Sequence, residues 1–171
     1  MKKIIMITLC LIIGLFVYQK DEEIVIPSDS IRVRIIANSN NINDLYQKKK
    51  LKDSIKNDLY NLIKNSNNYD EANNTIINNL EKIKKIIASK TNDFSLNYGK
   101  NYFPKKVYKG VLYPEGEYNS LIINLGKGLG DNWWCVLYPP LCMIEDNNTT
   151  SDVEYKSLIM ELLEIDKNSQ L

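Results

Sequence analysis

Residues 130–142, GDNWWCVLYPPLC, constrain the fold more than any other stretch, because they hold both tryptophans of the chain, two of its three cysteines and two of its five prolines. If Asn132 to Leu137 is extended, successive side chains alternate between faces. Trp133, Cys135 and Leu137 then point one way, and Trp134, Val136 and Tyr138 point the other. Both tryptophans cannot enter the same one-sided core. Pro139-Pro140 lacks backbone donors, so it ends sheet pairing and holds Tyr138 and Pro139 extended. The segment predicts a strand with a stiff turn behind it, one tryptophan in a core and the other facing outward.

Another strand is legible at Ile31–Ala37, which alternates with a period of two. Ile31, Val33, Ile35 and Ala37 face a core, and Arg32 and Arg34 occupy the opposite face. Where this strand neighbours the tryptophan strand, the arginines share a face with the outward tryptophan, within reach of a cation–π contact. Asn38–Asn41 stops the strand. Asn41, followed by Asp44, predicts an N-cap with an acid in the first turn. Leu51, Ile55, Leu59, Leu62 and Ile63 then follow helical spacing, with Gln47–Lys50 mostly on a solvated side. Asn65–Asn68 breaks that helix. Asn68 with Glu71 resembles a capping box and opens a second helix, whose stripe is Ala72, Ile76, Leu80, Ile83 and Ile87. The two helices are expected to pack as an antiparallel pair.

From Asn92 the period returns to two: Phe94, Leu96 and Tyr98 alternate, as do Leu121, Ile123 and Leu125. The stretch between them is punctuated by Pro104, Gly110, Pro114 and Gly116, and predicts short strands or loops with turns. GKGLG (126–130) reads as a glycine hairpin between strands rather than a phosphate loop, since no Lys-Ser or Lys-Thr pair and no helix follows. A last helix spans roughly Ser151 to Ile165, with Tyr155, Leu158, Ile159, Leu162 and Leu163 apolar. The predicted class is α+β: a mainly antiparallel sheet with two central helices and a C-terminal helix packed on one face.

The N-terminus carries Lys2 and Lys3, an apolar run from Ile4 to Tyr18, and then Lys20, Asp21, Glu22 and Glu23. This pattern fits a secretory h-region and is slightly short for a membrane span. No Ala-x-Ala-like pair follows it. Residues 1–23 therefore read as an export signal or an uncleaved N-terminal anchor, with residues 4–18 as the membrane tether and Cys10 as one of its apolar residues. Residues 24–171 leave room for a single extracytoplasmic domain of roughly 150 residues.

The chain of 171 residues contains no histidine, which excludes Ser-His-Asp and Cys-His nucleophilic sites, histidine bases and the commonest zinc sites. The formal charge of +1 falls to −2 without Lys2, Lys3 and Lys20 (19 basic against 21 acidic). Such a near-neutral body argues against a nucleic-acid partner. Glu115 and Glu117 flank Gly116 and form a carboxylate pair, although a turn leaves such groups solvated. Cys135 and Cys142 are too few for a zinc cluster and lack Cys-x-x-Cys spacing. A disulfide closing an eight-residue ring, worth roughly 2.5 kcal/mol, and two buried free thiols both stay open. No catalytic residue, metal ligand or cofactor is assigned. The residues expected to contact a partner are Arg32, Arg34, Asp131, Asn132, Trp133, Trp134, Tyr138, Pro139 and Pro140, an aromatic and arginine surface of the kind that anchors protein interfaces.

IRVRIIANSN (31–40), FPKKVYKGVLYPEGEYNSLIINLGKG (103–128) and above all GDNWWCVLYPPLC (130–142), in this order and spacing, resemble the stage II sporulation protein R family of endospore-forming bacteria. The resemblance covers most of the chain, and NWWCVLYPPLC is long and compositionally rare. One departure is Asn41-Ile42, where relatives commonly show Ser-Pro at the start of the first helix. The resemblance implies a signalling protein and not an enzyme. Such a protein is made in the forespore and exported into the space between the two membranes of the septum. There it activates a membrane-embedded aspartic protease of the mother cell, which removes the pro-sequence of sigma factor E. The alternatives are a cell-wall carbohydrate-binding or hydrolytic domain, with Glu115 or Glu117 as acid or base, and an interfacial membrane anchor formed by the Trp-Trp segment.

Overall fold

The computed structural model describes residues 24–144 and 151–169. The export segment read over residues 1–23, with its apolar run 4–18 and Cys10, lies outside the described residues. In chain order the elements are β1 (Ile24–Val25), β2 (Ile31–Ile36), α1 (Ile42–Ile63), α2 (Tyr69–Asn78), α3 (Leu80–Ala88), β3 (Phe94–Phe103), β4 (Lys106–Tyr108), β5 (Val111–Tyr113), β6 (Gly116–Leu125), β7 (Asn132–Tyr138), a 3-10 turn (Leu141–Met143) and α4 (Asp152–Ser169). None of the described helices is long and apolar enough to cross a membrane.

The α+β class holds, but the strands form two sheets, ordered β3-β6-β2-β7 and β1-β5-β4. Pairing is mixed. β3–β6, β2–β7 and β4–β5 are antiparallel, whereas β2–β6 and β1–β5 are parallel. The parallel β2–β6 pair needs a long crossover, and α1, α2 and α3 lie within it.

The main core lies between the larger sheet and these helices. Ile31, Val33 and Ile35 from β2 meet Leu121, Ile123 and Leu125 from β6, and the stripe Leu51, Ile55, Leu59 and Ile63 of α1 packs on them. Ala72, Ile76, Ile83 and Ile87 complete it. Asn41 caps α1 by accepting from the Asp44 amide at 3.0 Å, and Asn68 caps α2 by accepting from the Glu71 amide at 2.9 Å. Each satisfies an amide that the first helical turn leaves over.

The second predicted helix is divided. Asn79 donates its side chain to the Thr75 carbonyl and its amide to the Ile76 carbonyl, and its own carbonyl accepts from the Ile83 amide. It thus ends α2 and starts α3, while the apolar stripe runs on through the break.

A second core holds α4. Tyr155 and Ile159 pack with Ile24, Ile26, Val111, Tyr113, Val136 and Leu141, so the C-terminal helix covers the small sheet and the back of β7 rather than joining the central helices on one face. The small sheet turns at Lys109 and Gly110, both at positive φ (48° and 73°), the arrangement of a two-residue I′ hairpin.

GKGLG is not a hairpin, because β2 lies between β6 and β7. The loop crosses the end of β2 and is tied there. The Asn38 side chain accepts from the Lys127 amide at 2.9 Å, the Asn38 carbonyl accepts from Leu129 at 3.1 Å, and Asn40 accepts from Asp131 at 2.6 Å. Gly126 has a φ of 52°, and a Cβ there would collide with Asn38. The ANSN and GKGLGD stretches are thus two halves of one junction.

Candidate functional site

The outer face of β2 begins with Arg32 and Arg34, which alternation sends away from the aliphatic core. The register sets Arg34 opposite Trp134 on β7. Phe103, from the end of β3, and Tyr118, from the start of β6, close over the same face. Phe103, Tyr118 and Ile122 form a third buried cluster, with Ile36 and Trp134 against it.

The guanidiniums lie among these rings. Arg32 sits 3.4 Å from the Tyr118 ring centre and 5.3 Å from that of Phe103. Arg34 sits 4.5 Å from Phe103 and 5.9 Å from Trp134. Arg32 donates to the Pro114 carbonyl at 3.2 Å and Arg34 to the Tyr102 carbonyl at 3.0 Å. The Tyr118 hydroxyl donates to Pro114 as well, at 3.0 Å. Burial lowers the Arg32 pKa, against the pull of Tyr118 and Tyr113. So strong a base nevertheless stays charged.

Arg32 is only 3% exposed, whereas Arg34 and Trp134 are half-buried, so this face is a second, partly covered layer. No described carboxylate pairs with either guanidinium. Arg32 Nε, Arg34 Nε and the Trp134 indole N–H are buried without a hydrogen-bond partner among the described groups, an arrangement that native interiors seldom tolerate.

β7 follows the expected alternation for most of its length. Trp133 packs on the main core and Trp134 on the arginine layer. At the end the alternation fails. A register shift between Ile31 and Arg32 pairs Ile31 with Tyr138 and Arg32 with Val136, so Leu137 is an extra residue in β7. This bulge turns Tyr138 into the main core beside Leu137. Tyr138 and the buried Pro139 therefore leave the predicted contact surface, whereas Asp131 and Asn132 are exposed and Trp133, Trp134 and Pro140 are half-buried. Cys135 and Cys142 are joined in a disulfide, which ties β7 to the 3-10 turn.

A cavity of about 250 Å³ opens beside β7. Both tryptophans line it, with Arg32, Lys52 from α1 and Lys106 from β4. Lys106 Nζ stands 5.4 Å from the Trp134 ring, and Lys52 Nζ 5.7 Å from that of Trp133. One turn before Lys52, Lys48 donates to the Asp131 carbonyl at 2.8 Å, and burial lowers its pKa. Sequence reasoning missed Lys52 and Lys106 because both sit in lysine-rich stretches. The signal was there in the four-residue spacing of Lys48 and Lys52, which points both at β7.

The carboxylate pair is not brought to this site. Glu115 and Glu117 are exposed, and Glu115 accepts from the Tyr102 hydroxyl at 3.1 Å. No group of three acidic or cysteine side chains among the described residues is placed to hold a metal ion.

With this geometry in view, comparison with known proteins gives one consistent result. The family model described as stage II sporulation protein R matches residues 27–148. A curated relative, stage II sporulation protein R of Bacillus subtilis (strain 168), is 37% identical over 136 residues, covering 75% of this chain and 60% of the relative. The chain thus spans about 60% of the length of the curated relative it matches. No solved structure matches it.

Proposed function

Because the chain belongs to the stage II sporulation protein R family, we propose that it is a sporulation signal and not an enzyme. It is made in the forespore and exported, by residues 1–23, into the space between the forespore and mother-cell membranes. There it activates a membrane-embedded aspartic protease of the mother cell, which then processes the precursor of sigma factor E. Residues 4–18 serve as its tether where the segment is retained.

The observation that carries this reading is the cavity beside β7, whose walls combine both tryptophans of the chain with three cationic side chains. Ring faces and fixed cations recognise a partner. General acid–base chemistry on a wall polymer needs a carboxylate poised in a cleft, and Glu115 and Glu117 lie outside this one.

The test is Trp134→Ala in the full chain, expressed in sporulating cells. Processing of the sigma factor precursor should be lost while circular dichroism of the purified variant remains that of the parent. Normal processing by the folded variant contradicts the assignment. Retention of the parent on purified peptidoglycan, with activity lost in Glu117→Gln, would instead favour the wall reading.

A further inference from the structure

The cavity beside β7 has a definite charge. Arg32, Lys52 and Lys106 contribute cations to its wall, and none of the described lining residues is acidic. Of these cations, Lys52 meets the Asp53 carboxylate at 3.2 Å. Two lining residues also carry buried donors, Arg32 Nε and the Trp134 indole N–H, that no described group satisfies. A ligand that brings acceptors and negative charge would complete both, and a carboxylate does so with charge-assisted bonds.

The shape limits the ligand further. Five consecutive residues, 132–136, line the cavity, so it runs along the edge of the strand. β7 is the last strand of its sheet, and β4, which supplies Lys106, is the last strand of the other. An extended segment is the natural occupant of such a place. At about 250 Å³ the cavity is smaller than the roughly 300–1,000 Å³ typical of small-molecule pockets, and suits one or two side chains.

We infer that this cavity is a carboxylate-recognition site, which receives an acidic side chain from an extended segment of a protein partner laid along the edge of β7. The identity of that partner as the activated protease rests on the proposed function, whereas the chemistry of the site does not. The acidic residue enters along the edge of β7, where both tryptophans line the cavity, and its carboxylate meets the cationic wall of Arg32, Lys52 and Lys106.

Both tryptophans of the chain line the cavity, so intrinsic fluorescence reports on it directly. The full-length protein is titrated with a blocked hexapeptide of alternating glutamate and valine, and with the same peptide carrying glutamine for glutamate. The expected result is a saturable change with the glutamate peptide, weakened by added salt, and affinity lower by about tenfold or more for the glutamine peptide. Lys106→Gln, at an exposed position, should weaken the glutamate peptide about tenfold, and Lys84→Gln on α3 should leave it unchanged. Equal binding of the two peptides, no saturable change, or indifference to Lys106→Gln overturns the proposal. Sigma factor processing by Lys106→Gln is scored separately. Selective peptide binding by the parent together with intact processing by Lys106→Gln supports the carboxylate site while contradicting its use in signalling.

Discussion

The two faces of β2 are both covered, the inner one fully and the outer one fully only at Arg32, and by different chemistry. On the inner face Ile31, Val33 and Ile35 meet other aliphatic side chains, a contact without direction that any well-packed hydrophobe of similar volume could supply. On the outer face Arg32 and Arg34 are closed in by aromatic rings and carbonyls, and leave donors over. Burying a cation without a carboxylate costs stability that an apolar side chain in the same place would not. The inner face therefore accounts for the fold, and the outer face for something the fold alone does not need.

That contrast can be broken at several points. The largest effect should come from the inner layer. Ile55→Ala, at a residue 1% exposed, should lower unfolding free energy by about 2–5 kcal/mol in urea titration, and should reduce signalling only as far as it reduces folded protein. Opening the tie between β7 and the 3-10 turn with the double change Cys135→Ser, Cys142→Ser should cost roughly 2.5 kcal/mol, and reductant should bring the parent to the same value. Arg32→Met keeps the bulk over Tyr118 and removes the charge. The Pro114 carbonyl retains the Tyr118 hydroxyl, so stability should stay within about 1 kcal/mol of the parent while the affinity for the glutamate peptide falls. An effect as large as that of Ile55→Ala would erase the distinction between the faces.

The smallest effect concerns the junction at the end of β2. Asp44 accepts from Ser39 at 2.6 Å and from Asn38 at 2.9 Å, and these bonds, the Ser39 bond foremost, lower its pKa below 3.8. Its folded value is depressed, so its stabilisation is complete above about pH 4 and is lost as pH falls through the folded value. The stability gap between the parent and Asp44→Asn, read from thermal melts, should therefore be present at pH 7 and close in strong acid.

Local patterns were the legible part of this fold. Period two placed Arg32 and Arg34 opposite Ile31, Val33 and Ile35, and both asparagine caps stand where the polar breaks indicated, because a cap involves residues three apart. The tryptophans were separable for the same reason. What could not be read depends on residues far apart in the chain. The GKGLG loop looked like a hairpin because nothing local reveals that β2 lies between β6 and β7. Tyr138 looked outward because the bulge at Leu137 is a property of the β2–β7 register. Lys52 and Lys106 come from different elements, and only their meeting at β7 makes a site.

The most direct measurement is a reconstitution of the full chain with the candidate membrane protease and the sigma factor precursor in vesicles, in which precursor cleavage is followed with time. Cleavage should depend on the added protein, persist with Lys84→Gln, and fall to the unstimulated rate with Trp134→Ala although that variant is folded. Full stimulation by Trp134→Ala, or cleavage that does not depend on the added protein, would contradict the assignment of the signal to the outer face of this sheet.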